Sequence, residues 1–239
     1  MLQTYFDKSE IIVVLLYVVL GLSLNSYLLT FAKPFRFLLT KYSGETAARR
    51  SVYLQRIMGM FFYGIVPIVI VLMLLQGNFR DYGTVLADPL ETLLWGILFA
   101  AIIIPLTLYN AKSSSNLAVY PQIRSKKWTL STLLLSGLTW AGYLLCYEFL
   151  FRGFLLFACL REFGTVPSIA VNMLIYSIAH IPKGKLETLG AIPLGLLLCV
   201  VTIVTGSIWF AFLAHVIMAL SNEWISLYHN KDIRLEIKF

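Results

Sequence analysis

The stretch TLSTLLLSGLTWAGYLLCYEFLFRGFLLFACL, Thr129 to Leu160, decides the fold of this chain. It holds two charged side chains, Glu148 and Arg152, and no proline. About 20 apolar residues in a helix cross the ~30 Å hydrocarbon core of a bilayer. This run of about 32 residues would reach roughly 48 Å at 1.5 Å per residue. It must therefore tilt strongly, break near Gly137 or Gly142, or begin as an interfacial segment.

Working outward, comparable apolar blocks cover about 11–32, 57–76, 90–110, 166–181, 187–205 and 207–228. Hydrophobic residues make up 59% of the 239 positions and charged residues 13%, and mean hydropathy is +0.81. Soluble domains carry about 25% charged residues, so a water-facing surface is excluded. The expectation is an all-α, polytopic membrane helix bundle of seven transmembrane helices, or eight if the fourth block splits. There is no soluble insertion and no short-period repeat. Residues 1–128 read as N-terminal transmembrane helices with basic loops, 129–228 as the core, and 229–239 as a cytoplasmic tail. The first apolar run follows acidic residues and no small-residue cleavage site follows it, so it reads as a retained span.

The formal net charge of +7 sits between the blocks. Lys33, Arg36, Lys41, Arg49, Arg50 and Arg56 fall in the first connection. Lys112, Arg124, Lys126 and Lys127 fall in the third, Lys183 and Lys185 in the fifth, and Lys231, Arg234 and Lys238 in the tail. Basic excess on alternate connections marks the cytoplasmic side and puts the N-terminus outside. This pattern points to a lipid bilayer as partner and gives no nucleic-acid patch. Cys146, Cys159 and Cys199 lie inside apolar blocks and read as small hydrophobes. Trp95, Trp128, Trp209 and Trp224 lie near span ends and read as interfacial anchors.

A charge at mid-bilayer costs at least about 2.5–3.5 kcal/mol on insertion scales and needs an interior partner. Glu148 and Arg152, four apart, share one helical face as an acid and its counter-ion. Glu148 and His180 each lie roughly 21–22 Å from the turn at Arg161–Val166, so an antiparallel pair brings them level. His215 lies roughly 13 Å from the Thr205–Gly206 turn and joins them only through tilt or stagger. A carboxylate beside two imidazoles suits hydrolysis, activating water and stabilising an oxyanion. The same three, Glu148, His180 and His215, are alternatively ligands of a zinc ion with an open position. Spacing does not separate the zinc mechanism from a metal-free one.

At these residues the sequence resembles the CPBP family, the CAAX-protease and bacteriocin-processing group of intramembrane proteases. The family motif EExxxR, continued as FRG, is similar to YEFLFRG from Tyr147 to Gly153. FxxxH is similar to YSIAH from Tyr176 to His180, and the third motif, a His with a polar residue four on, is similar to HVIMA from His215 to Ala219. The resemblance covers about residues 129–226. It implies an intramembrane endopeptidase that hydrolyses a peptide bond at or near the bilayer in a membrane-associated or lipidated peptide. It also implies a bacterial-type plasma membrane, since an aromatic residue at the first Glu position resembles a bacterial subgroup. Tyr147 stands at the place of the family's proposed water-activating Glu, and Ala219 at that of the polar partner of the last His. Under the resemblance Glu148 itself becomes the base, Arg152, Tyr147 and Tyr176 support it, and Asn222 or Glu187 supplies the missing polar group. The two departures favour the alternative, a catalytically silent member acting as membrane scaffold, immunity factor or hydrophobic-peptide binder.

Overall fold

The computed structural model describes residues 2–31, 44–86 and 88–236, with the side chains of residues 2–9, 183 and 186 outside that description. Lys33, Arg36, Lys41 and Lys238 of the basic connections also lie outside the described residues. The chain is an all-α polytopic bundle. In chain order its helices are α1 Leu2–Phe31, α2 Gly44–Leu74, α3 Pro89–Asn110, α4 Ser114–Val119 and α5 Leu130–Phe163. They are followed by α6 Thr165–His180, α7 Lys185–Thr205 and α8 Trp209–His229. Among the described residues six helices, α1, α2, α3, α5, α7 and α8, are long and apolar enough to cross a membrane, and α6, with 16 residues, is a shorter apolar helix beside them. Two short strands, β1 Lys127–Thr129 and β2 Arg234–Glu236, pair in parallel.

The fourth block does not break where its length suggested. It forms one helix of 34 residues, capped by the Thr129 hydroxyl, which accepts from the Thr132 N–H. Gly137 and Gly142 stay helical and sit beside Trp224 and Met60. The irregularity comes later, as a π-helical segment at Phe149–Leu155. In the most hydrophobic stretch of α5, 72% of residues are buried, against 17% in that of α3, so α5 is the central helix. Burial inside protein explains how an over-long apolar helix with Glu148 and Arg152 in its interior is accommodated.

The second block starts earlier than its hydropathy indicated. Helix α2 begins at Gly44 and runs 31 residues, with π-helical segments at Phe61–Ile65 and Ile70–Leu74. Arg56, expected in a solvated connection, is therefore a helix residue, 3% exposed. Its charge is balanced from α8, where Glu223 lies 3.9 Å away. Trp128, expected at the lipid interface, is instead fully buried, and its indole N–H donates to the Ile123 carbonyl at 3.3 Å.

The connections gather at two ends of the bundle. At one, the Arg161 guanidinium meets Glu10 and donates to the Asp81 carbonyl at 2.7 Å, while the Trp209 indole donates to the Thr84 carbonyl at 2.9 Å. Tyr82 donates to Glu10 there at 2.6 Å. Burial first, then the Glu10 carboxylate, holds this phenol above its usual range, so it stays a donor at neutral pH. At the other end, β1 pairs with β2, Ser125 reaches the Glu45 carbonyl, and Tyr120 donates to Glu187 at 3.2 Å.

Candidate active site

Glu148 is the last residue before the π-helical turn of α5, and Arg152 lies inside that turn. A π-turn adds a residue to the helical register, and such turns recur at functional sites. Both side chains are fully buried, with Arg152 Nη1 at 3.4 Å from Glu148 Oε2. The guanidinium also lies over the Tyr176 ring, 4.1 Å from its centroid. The charge therefore has a carboxylate on one side and an aromatic face on the other.

His215 of α8 reaches the same carboxylate: its Nδ1 is 2.6 Å from Glu148 Oε1. His215, whose depth was conditional on tilt, thus makes a direct contact with Glu148. His180 ends α6, and its Nδ1 lies 2.8 Å from the Tyr176 carbonyl. A carbonyl only accepts, so Nδ1 of His180 carries a proton, and in the neutral imidazole Nε2 is the acceptor. Tyr147 stands among them, its ring centroid 5.7 Å from the His215 ring and 6.2 Å from the His180 ring. The Tyr176 ring packs on His180 at 4.4 Å. All of these side chains are buried, Glu148, Arg152 and Tyr176 completely and His180 and His215 to within 5% and 6% exposure.

The remaining expected residues go elsewhere. Asn222 donates to the Met218 carbonyl of its own helix at 3.0 Å, and Glu187 accepts from Tyr120. Two helical turns separate Asn222 from His215 along α8, too far for a side chain already bonded to its own backbone. Ala219 packs with Trp140 and Leu144 in an apolar cluster, so no polar group follows His215 by one turn. A zinc ion on Glu148, His180 and His215 would need their donor atoms around one point. Among the described residues no three His, Cys, Asp or Glu side chains have that arrangement. Glu148 Oε1 is taken up by Nδ1 of His215, which places the carboxylate behind that imidazole and not beside it as a fellow ligand. These residues do not fit a three-ligand zinc site.

Two further polar groups escaped sequence reasoning. Asn172 is fully buried, donates to the Phe151 carbonyl at 2.6 Å and accepts from the Cys199 thiol at 3.2 Å. It thereby pins the π-turn from α6. The signal was present: Ser168, Asn172, Tyr176 and His180 recur every fourth residue and form the buried face of α6. The second group is built on Arg56 and Glu223. Arg56 donates to the Ser136 carbonyl at 2.8 Å, Thr139 at 3.0 Å and Gln122 at 3.0 Å, and lies 4.5 Å from the Trp140 ring centroid. Glu223 accepts from the Gln122 N–H at 2.9 Å and from Ser136 at 3.3 Å. This network ties α2, α5 and α8 to the segment before β1.

Curated proteins and solved structures give no match to this chain. Residues 129–221 match the family model described as Type II CAAX prenyl endopeptidase Rce1-like. The matched segment spans α5, α6, α7 and the first part of α8, and so contains Glu148, Arg152, His180 and His215. This segment is similar to the CAAX prenyl endopeptidases of that family, which supports the resemblance to the CPBP group.

Proposed function

We propose that this protein is an intramembrane endopeptidase of the CAAX-protease type, with Glu148, His215, His180 and Tyr147 at its reacting centre. The observation that carries the reading is the buried 2.6 Å contact between Glu148 and His215. An ionised carboxylate accepting from Nδ1–H fixes the imidazole tautomer and stabilises the imidazolium that forms. Nε2 of His215 then takes a proton from water, and Nε2 of His180 accepts the water's other hydrogen and orients it. The oxygen attacks the scissile carbonyl. Tyr147 supplies a hydroxyl donor for the oxyanion, and His215 returns its proton to the leaving amine. Arg152, 3.4 Å from the other oxygen of Glu148, supplies its counter-charge. Residues 129–228 act as the protease core, and the substrate is a membrane-associated or lipidated peptide. The setting is a bacterial-type plasma membrane, which the aromatic residue at position 147 supports.

A second reading, a silent member that binds hydrophobic peptides, draws on Ala219 and Tyr147. Both lie in apolar and aromatic packing. The two separate in one assay. Reconstituted protein is incubated with a panel of membrane peptides, including ones ending in a prenylated cysteine, beside Glu148→Gln, His180→Ala and His215→Ala. The active reading expects cleavage by the parent and a loss of at least about 100-fold in each variant. Cleavage that survives all three substitutions sinks the proposed centre. Peptide binding without cleavage by the parent favours the silent reading.

A further inference from the structure

Beyond the buried cluster, the pairing of β1 with β2 makes a second feature. It joins the segment before α5 to the segment after α8, with Lys127 opposite Arg234 and the Arg234 N–H donating to the Lys126 carbonyl at 2.7 Å. Between them lies a groove of about 700 Å³ whose lining includes Arg124, Lys126, Lys127, Lys231 and Arg234, with Asp232 as the one acid. All six side chains are exposed at the surface.

We infer that this groove binds the phosphate of an acidic membrane lipid. The first argument is charge. Backbone pairing, not counter-charge, brings these cations together. Among the described residues only Lys127 of the five has an acidic ion-pair partner, Glu236 at 2.9 Å. Arg124 is fixed by two backbone carbonyls, those of Leu117 at 2.9 Å and Ala118 at 2.7 Å. Like charges held at fixed positions repel, and a bound anion relieves that repulsion while forming charge-assisted hydrogen bonds.

The second argument is position. Strand β1 runs straight into α5 and β2 follows the end of α8, so the groove crowns the mouth of two apolar spans. Below it on α5, Leu130, Leu134 and Leu138 recur every fourth residue and are 44%, 55% and 71% exposed. On α8, Trp224 and Tyr228 are also exposed, and Trp224 lies against Gly137 of α5, 3.5 Å from where a Cβ would sit. An apolar seam with an aromatic pair thus leads down from the cationic groove. Tyrosine and tryptophan favour headgroup level, and basic clusters at span ends attract anionic headgroups. A soluble phosphate would use the groove and leave the seam idle. A phospholipid uses both.

The test is thermal melting of the purified full chain in neutral detergent, titrated with phosphatidylglycerol, phosphatidylcholine or inorganic phosphate. Lys126→Gln/Arg234→Gln removes two groove cations, and Lys112→Gln/Arg49→Gln removes two cations outside the groove lining. Each protein is referred to its own melting point without additive. The expected result is saturable stabilisation by phosphatidylglycerol only, weakened roughly 30-fold in apparent affinity by the groove variant and unchanged by the other. Equal stabilisation by phosphatidylcholine, or full retention in the groove variant, overturns the proposal. Equal stabilisation by inorganic phosphate overturns the lipid as ligand and leaves a soluble phosphate in its place.

Discussion

Nδ1 of His215 lies 2.6 Å from Oε1 of Glu148, so two side chains 67 positions apart in sequence meet between α5 and α8. On its other oxygen the same carboxylate faces Arg152 at 3.4 Å. Glu148 therefore joins an imidazole from another helix to a cation from its own. That dual role sets its expected behaviour.

Replacing Glu148 with Leu leaves Arg152 fully buried without its carboxylate. Breaking one partner of a buried ion pair typically costs about 3–5 kcal/mol, so Glu148→Leu should lower stability by that order. Glu148→Gln keeps the shape and an acceptor oxygen and should cost less than half as much. Chemical denaturation in detergent measures both. Equal stability of Glu148→Leu and the parent contradicts the pairing.

The Arg56–Glu223 pair makes a similar prediction with a built-in control. Arg56→Met strands a fully buried Glu223, and Glu223→Leu strands Arg56. Each single change should cost about 3–5 kcal/mol. The double variant Arg56→Met/Glu223→Leu should recover a large part of that loss, because neither charge remains uncompensated. Purely additive losses in the double-mutant cycle would show that the two side chains are not coupled.

Asn172 offers a test of the π-turn. Asn172→Leu is close in volume but removes the donor to the Phe151 carbonyl and the acceptor for Cys199. Losing a buried donor of this kind costs about 1–3 kcal/mol. Cys199→Ala removes only a weak thiol donor and a little volume and should cost less. Melting curves rank the two, and the reverse order would argue against Asn172 as the pin.

Gly153 reads the packing beneath the site. A Cβ there would come within 2.9 Å of the Tyr82 carbonyl oxygen, a backbone atom that cannot swing aside. Gly153→Ala should therefore destabilise by about 1–3 kcal/mol through overpacking. A neutral or stabilising effect in the same melt would show that α5 has room to shift.

The sequence carried the class and much of the site, for identifiable reasons. Long apolar blocks and sparse charge make a membrane bundle unavoidable, and a charge inside such a block needs a partner within reach. Depth arithmetic treats helices as straight and level, so it paired Glu148 with His180 and left His215 doubtful. The packing of α8 on α5 nonetheless brings His215 onto Glu148, beside a π-turn at Phe149–Leu155 that has no sequence signature here. Arg56 was read as a loop charge because hydropathy averages over a window, and a single buried arginine at a block's edge looks like a flank. Its partner Glu223 lies more than 160 positions away, and only the packing of α2 on α5 and α8 connects them. Asn172 was readable from the four-residue recurrence along α6, but one amide in an apolar helix is easily passed over without the carbonyl it serves.

The central claim is that Glu148 and His215 work as one unit in peptide-bond hydrolysis. The most direct measurement is a double-mutant cycle on cleavage rate, with Glu148→Gln, His215→Ala and the double variant, each checked for the parent's helicity and oligomeric behaviour. The account predicts that each single change lowers the rate by about 10²–10⁴-fold and that the double variant is no slower than the worse single one. Parent-like cleavage by either folded single variant, or losses that multiply in the double, would contradict it.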